Sequence, residues 1–203
     1  QRSLLVSSER ILGVIGSGTM GAGIAQSAAA TGFVVHTFDT SPDLVEKAYA
    51  VIGQKLDERV AAGKLPKHDK EATMSRLHVG KSLNVLADAE CVIEAVVEDL
   101  SAKKKVFADV EKVVSERTLL ASNTSSLSID KIGDSLRRPE RFIGMHFFNP
   151  APVMKLVELV LGTKSGAQAL VDGRAVCAKL DKTAVKVKDS PGFIGNRVNR
   201  QNC

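Results

Sequence analysis

Short apolar runs alternate along this chain with stretches whose apolar residues recur at helical spacing. Ile11–Ile15 is a strand-length run, and Gly18 to about Ala30 is a small-residue helix that Gly32 ends. Phe33–Phe38 predicts a second strand closing on Asp39. Ser41-Pro42 opens the next helix, with Pro42 at its first position and Leu44, Ala48, Val51, Ile52, Leu56 and Val60 as its apolar face, up to Gly63. Residues 64 to 75 are polar and predict a loop and the start of another helix. Leu77–Val79 is a third strand, Leu83 and Leu86 mark a short turn, and Cys91–Val96 is a fourth, buried strand. A helix over Ala102 to Val114 leads to a fifth strand at Leu119–Ala121 and a short helix from Ser128 to Ile132. Phe142–Phe147 and Lys155–Val160 are strand-like, Gly166 to Leu180 is helical, Ala184–Val187 is a last strand, and Pro191-Gly192 is a turn.

Repeated strand–helix units of this kind predict a mainly parallel sheet covered on both faces, with right-handed crossovers. The first unit is specific. Gly16-Ser17-Gly18-Thr19-Met20-Gly21 follows a buried strand directly and opens a small-residue helix, and the next strand ends at Asp39. Gly16 permits the tight turn, Gly18 lets backbone approach a pyrophosphate, and Gly21 lets the helix lie close to the sheet. The N–H groups of the first helical turn lack intrahelical partners and suit an anion. Asp39 can accept both hydroxyls of an adenosine ribose, and it would repel a 2′-phosphate. Thr40 and Ser41 offer no arginine to such a phosphate, so the pattern favours NAD over NADP. The expected fold is therefore α/β, a doubly wound Rossmann-type sheet, with the chemistry at the carboxyl ends of its strands, after Val96, Ala121 and Met145.

Composition narrows the alternatives. Apolar residues make up 44% and charged residues 25%, an ordinary globular balance. Tryptophan is absent and there is one tyrosine, which argues against stacking platforms for nucleic acid. The net charge of +5 comes from scattered residues apart from Lys103–Lys105 and Arg137-Arg138, which read as solvated faces. The three cysteines are far apart and match no zinc spacing, so a reducing compartment is expected: cytoplasm, or mitochondrial matrix in a eukaryote. Ile11 to Val35 carries no charge, but its glycines, hydroxyls and Gln26 make it strand–turn–helix–strand rather than a membrane span. No cleavable signal pattern is present.

Of the four histidines, His36, His68 and His78 read as structural or solvated, and none has a partner at metal spacing, so no metal site is expected. His146 lies where a late strand runs into the loop Phe147-Phe148-Asn149-Pro150. Oxidising an alcohol by hydride removal needs an acceptor for the hydroxyl proton, which histidine can be. From the residues alone a structural role stands beside that one. Glu158, a lone carboxylate in the run Leu156–Val160, is a candidate partner for His146 or a solvent-facing edge residue.

Five segments together resemble the L-3-hydroxyacyl-CoA dehydrogenase family, including its 3-hydroxybutyryl-CoA dehydrogenases. They are Gly16–Gly23, Glu94–Glu98, Ser122–Leu127, His146–Glu158 and Asp189–Arg197, in the family's order and spacing over residues 9 to 200. The resemblance implies that His146 is a general base oriented by Glu158. It implies that Ser125 and Asn196 hydrogen-bond the substrate, and that Glu98, Lys103, Asn123, Ser125 and Asn149 hold NAD together with Gly16, Gly18, Thr19, Met20, Gly21 and Asp39. The reaction implied converts (S)-3-hydroxyacyl-CoA and NAD to 3-oxoacyl-CoA and NADH, with short acyl chains as the expected substrates. A helical arm at about residues 43 to 75 would contact coenzyme A, with Lys55, Lys64, Lys67 and Lys70 as candidates for its phosphates.

Two parts of the chain depart from the family. Members carry an all-helical domain after the Asn196 motif that closes the cleft and usually builds a dimer; residues 201 to 203 do not continue that pattern. Gln1–Ser8 match nothing and read as a leader remnant or a link from a preceding domain. The expectation is an NAD-binding domain over residues 9 to 200 that is poorly active alone, with a homodimer only where the helical domain is present. An acyl-CoA substrate is expected, and neither a nucleic-acid nor a membrane partner. A dehydrogenase of a related 3-hydroxy acid without coenzyme A, and an NAD-binding module with little turnover, are the competing readings.

Overall fold

The computed structural model describes residues 9–189. Eight strands form one sheet in the order β3-β2-β1-β4-β5-β6-β7-β8. They are β1 (Ile11–Ile15), β2 (Val34–Phe38), β3 (Leu77–Gly80), β4 (Cys91–Glu94), β5 (Leu119–Ser122), β6 (Phe142–Phe147), β7 (Leu156–Leu161) and β8 (Thr183–Lys188). The helices are α1 (Thr19–Ala30), α2 (Pro42–Ala61), α3 (Lys67–Ser75), α4 (Leu100–Val110), α5 (Ile129–Gly133) and α6 (Ala167–Lys179). Every neighbouring pair is parallel except β6 and β7, which run antiparallel. Chain order reverses between β1 and β4, so a crevice opens there at the carboxyl ends of the strands.

The central strands are apolar up to the polar residues at their carboxyl ends because both faces are covered. On one face Leu12, Val14, Val35, Ile93 and Ala121 pack with α1, the arm helices and α6. On the other, Val92, Leu120, Phe142 and Val160 pack with Phe107 of α4 and Ile129 of α5. Phe107 meets Phe142 edge to face, with ring centroids 4.8 Å apart. Each fully buried side chain of this size contributes about 1.5–3 kcal/mol.

Local signals set the helix ends. Asp99 caps α4, accepting the Ala102 N–H at 2.8 Å, and Ser128 caps α5 through Lys131. α4 starts two residues earlier and ends four earlier than the periodicity predicts, and β4 stops at Glu94 rather than Val96. The buried face of α2 is a larger correction. It is Val45, Tyr49, Ile52 and Leu56, while Leu44 and Val51 face solvent. Tyr49 decides the rotation, because its ring enters the core while its hydroxyl donates to Thr37 at 2.6 Å. The polar stretch after Gly63 carries α3, which packs with α2 as an arm between β2 and β3. Among the described residues no helix is long and apolar enough to cross a membrane, and no cluster of side chains could hold a metal ion.

Candidate active site

β1 delivers the glycine turn to the crevice. Gly16 has φ +97°, and a Cβ there would stand 2.6 Å from the Ala95 carbonyl oxygen, so the loops after β1 and β4 touch. A Cβ on Gly21 would lie 1.9 Å from the Gly16 carbonyl oxygen. Gly18 is the contrasting position, with nothing within 4 Å of its Cβ site. It is the N-cap of α1, and no side chain caps it; the first turn carries no acid either. An uncapped helix N-terminus beside open space fits a diphosphate.

Asp39 closes the turn from the side. Its Oδ2 accepts the Ser17 N–H at 2.7 Å and the Ser17 hydroxyl at 2.6 Å, and its Oδ1 accepts the Thr40 N–H at 2.7 Å. Partial burial raises its pKa, but the Ser17 and Thr40 hydrogen bonds outweigh burial and hold it below the ordinary value. Each oxygen already accepts two hydrogen bonds, Oδ1 taking the Thr40 hydroxyl at 3.2 Å as well, so a ribose hydroxyl would bind by displacing a hydroxyl of Ser17 or Thr40.

From Gly18 a cleft of about 520 Å3 runs past Val96 and Glu98 to Ser125, His146 and Asn149. Thr19, Met20, Lys103 and Asn123 also line it, so one crevice unites the predicted cofactor turn with the predicted base. A larger cavity of about 750 Å3 lies at the opposite ends of the strands, beside α6, and contains none of the predicted site residues.

His146 and Glu158 face each other directly across the β6–β7 ladder. Both are buried, at 7% and 2% exposure, and the His146 Nδ1 to Glu158 Oε2 distance is 2.8 Å. β7 lies between β6 and β8, so Glu158 is not the solvent-facing edge residue of the alternative reading. The His146 ring also stacks at a tilt on Phe148, with centroids 4.7 Å apart. Asn123 sits at the end of β5, where its Oδ1 accepts the Phe147 N–H at 2.9 Å and so fixes the strand end beside His146.

Glu98 joins the two lips of the cleft. Its Oε1 accepts the Thr124 hydroxyl and the N–H groups of Ser125 and Ser126 at 2.9 and 3.2 Å. Burial raises its pKa, but the Thr124 hydroxyl and the Lys103 charge lower it further, so the carboxyl lies below its ordinary value. Lys103 is not on a solvated face: it is 1% exposed, with its ammonium 2.6 Å from Glu94 and 3.2 Å from Glu98. Glu94, Ser122 and Thr124, all fully buried, were not singled out as site residues from the sequence. A carboxylate ending the apolar run Cys91–Glu94 was the available signal. Lys55, Lys64 and Lys67 lie exposed on the arm, Lys67 loosely paired with Glu71 and Lys70 paired with Asp57. Asn196 lies outside the described residues.

Residues 11–190 match the model of the 3-hydroxyacyl-CoA dehydrogenase NAD binding domain. The chain belongs to this dehydrogenase family. It is 40% identical over 185 residues to a probable 3-hydroxybutyryl-CoA dehydrogenase of Bacillus subtilis, covering 91% of this chain and 64% of that protein. It is 45% identical to 3-hydroxyadipyl-CoA dehydrogenase of Escherichia coli over 92% of this chain and 39% of that one. A crystal structure of 3-hydroxybutyryl-CoA dehydrogenase from Escherichia coli superimposes with a TM-score of 0.91 at 44% identity, over 95% of this chain and 41% of that chain. The chain thus spans under two thirds of the length of these relatives. The matched NAD binding domain contains the glycine turn, the open Gly18 and Asp39.

Asp39→Ala frees Ser17 and removes the carboxylate expected to accept the ribose. Losing hydrogen bonds to a charged group costs about 1.5–3 kcal/mol, so the NADH Kd is expected to rise roughly 10- to 100-fold in a fluorescence titration. An unchanged Kd would remove Asp39 from the cofactor site. The lowered pKa also sets a pH window. The stability that Asp39 contributes is present above its ordinary value of 3.8 and is lost as pH falls through the lower folded value. NADH affinity of the unmodified protein should therefore show no Asp39 step between about pH 5 and 8.

Proposed function

We propose that this chain is the cofactor- and base-bearing part of an NAD-dependent dehydrogenase that interconverts (S)-3-hydroxyacyl-CoA and 3-oxoacyl-CoA, with short acyl chains preferred. The observation that carries the reading is the single cleft from Gly18 to His146, with Glu158 behind His146 at 2.8 Å. The relatives' names support a CoA thioester substrate.

When bound, NAD supplies the acceptor for the hydride that leaves C3. The residues around it manage a proton. A carboxylate can only accept a hydrogen bond, so Glu158 selects the His146 tautomer with hydrogen on Nδ1. That leaves the Nε2 lone pair to take the substrate hydroxyl proton, and Glu158 stabilises the imidazolium that forms. In reduction the same proton returns to the C3 alkoxide. Ser125, whose N–H Glu98 holds at the cleft, is proposed to hydrogen-bond the substrate at the reacting oxygen. Asn196 is proposed as a second substrate contact, the arm residues Lys55 and Lys67 as contacts to coenzyme A phosphates, and a helical domain as the roof and dimer contact.

The test is a panel of CoA thioesters and the corresponding free 3-hydroxy acids with NAD, with acetoacetyl-CoA reduction as the reverse assay, on this chain and on its longest natural form. Faster oxidation of a free acid than of its thioester would overturn the substrate class. Glu158→Gln should lower kcat by on the order of 10^2- to 10^4-fold, because its amide can offer Nδ1 a donor and so favour the wrong tautomer. NADH affinity should stay within about twofold, or about 0.4 kcal/mol.

A further inference from the structure

We infer that Glu94 is a positioning residue of the cleft: through Lys103 it fixes Glu98, and through Glu98 it fixes the Ser125 loop, which lines the same cleft as His146. The inference rests on the dehydrogenase reading above only for its kinetic consequence. Glu94 ends β4, paired with Ile15 of β1 on one side and Ser122 of β5 on the other, so its carboxylate lies under the crevice between them. It is fully buried. Its Oε2 accepts the Ser122 hydroxyl at 2.6 Å, and its Oε1 accepts the Val96 N–H at 2.7 Å and the Lys103 ammonium at 2.6 Å.

Lys103 has three donors and no acceptor. One goes to Glu94, a second reaches Glu98 Oε2 at 3.2 Å, and the third points to the Val96 carbonyl oxygen at 3.4 Å. All three are directed at protein acceptors, so this ammonium acts as a bolt between β4 and the lip of the cleft. The far end of the bolt is Glu98, whose other oxygen receives Thr124, Ser125 and Ser126. A buried ion pair of this kind gives little net stability compared with a well-packed apolar substitute. What the pair does give here is a fixed distance between a strand of the sheet and the loop that carries Ser125. A catalytic group displaced by about 1 Å can cost roughly 100-fold in rate.

The experiment compares Glu94→Gln, which leaves Lys103 with one carboxylate, and the double variant Glu94→Gln/Lys103→Met, which removes both charges, in the longest natural form of the protein. Melting temperature, amide hydrogen exchange at Ser125 and Ser126, NADH affinity, and kcat and KM for acetoacetyl-CoA are measured on each. The double variant should melt within a few degrees of the unmodified protein. Its Ser125 and Ser126 amides should exchange about tenfold faster, and its kcat should fall about 10- to 100-fold with a smaller change in KM. A residue that served stability alone would give a double variant whose melting temperature and amide exchange both recover, and that result overturns the inference whatever Lys103, itself in the cleft lining, does to kcat. If Glu94→Gln does not fold, Ser122→Ala, which removes one donor from Glu94, should move the same amides by a smaller amount; unmoved amides again overturn it. If the unmodified protein turns over no 3-hydroxyacyl-CoA, the proposed function fails, while the exchange measurement still decides the role of Glu94.

Discussion

His146→Gln is expected to remove nearly all turnover while NADH still binds. Glutamine is close to imidazole in size but cannot take a proton at working pH. A positioned general base contributes about 10^2- to 10^4-fold, so kcat should drop by about 10^3, or roughly 4 kcal/mol in the barrier. The glycine turn, Asp39 and Glu98 do not touch His146 through any hydrogen bond described above, so NADH affinity should change by less than about twofold, or 0.4 kcal/mol. Comparable loss of binding and turnover would mean that His146 shapes the cofactor cleft rather than serving the substrate. Turnover that survives the change would reassign the base altogether.

The second large effect is expected at Gly21. Alanine there places a Cβ 1.9 Å from the Gly16 carbonyl oxygen and 2.8 Å from its carbon, both backbone atoms that cannot rotate away. The turn must open, which costs about 1–3 kcal/mol as overpacking does elsewhere. In a domain of this size that corresponds to roughly 2–12 °C in Tm. Because the opened turn is the proposed cradle, NADH affinity should fall by roughly 100-fold, about 2.8 kcal/mol. Gly18→Ala is the control: its Cβ meets nothing within 4 Å. It should leave Tm unchanged and weaken NADH binding alone. If both variants melted and bound like the parent, the dinucleotide would lie elsewhere.

The strands and the two halves of the cleft were legible because each has a local cause. Buried parallel strands read as unbroken apolar runs, and a glycine turn between a strand and a small-residue helix has few other uses. Glu158 was legible for the opposite reason, as one charge in an apolar run that needs a partner. The rotation of α2 was not. Leu44 and Val51 interleave with Val45, Tyr49, Ile52 and Leu56, and only packing under β2 and β3 selects the second set. Lys103 was hidden by its neighbours. In the run Lys103–Lys105 the first lysine turns inward to Glu94, nine residues back at the end of β4, across a loop and one helix turn. No periodicity reports such a pair, since neither strand nor helix spacing relates the end of β4 to the first turn of α4.

The antiparallel join of β6 and β7 has a practical consequence. Because His146 and Glu158 are cross-strand partners, their alignment is set by the ladder and not by the connection at residues 148 to 155. The part of that connection beyond Phe148 and Asn149, which touch His146 and line the cleft, can be altered while His146 and Glu158 stay in register. Val153 and Met154 are exposed on it. Loop grafting at Val153 and Met154 is therefore open on this scaffold without moving His146 from Glu158.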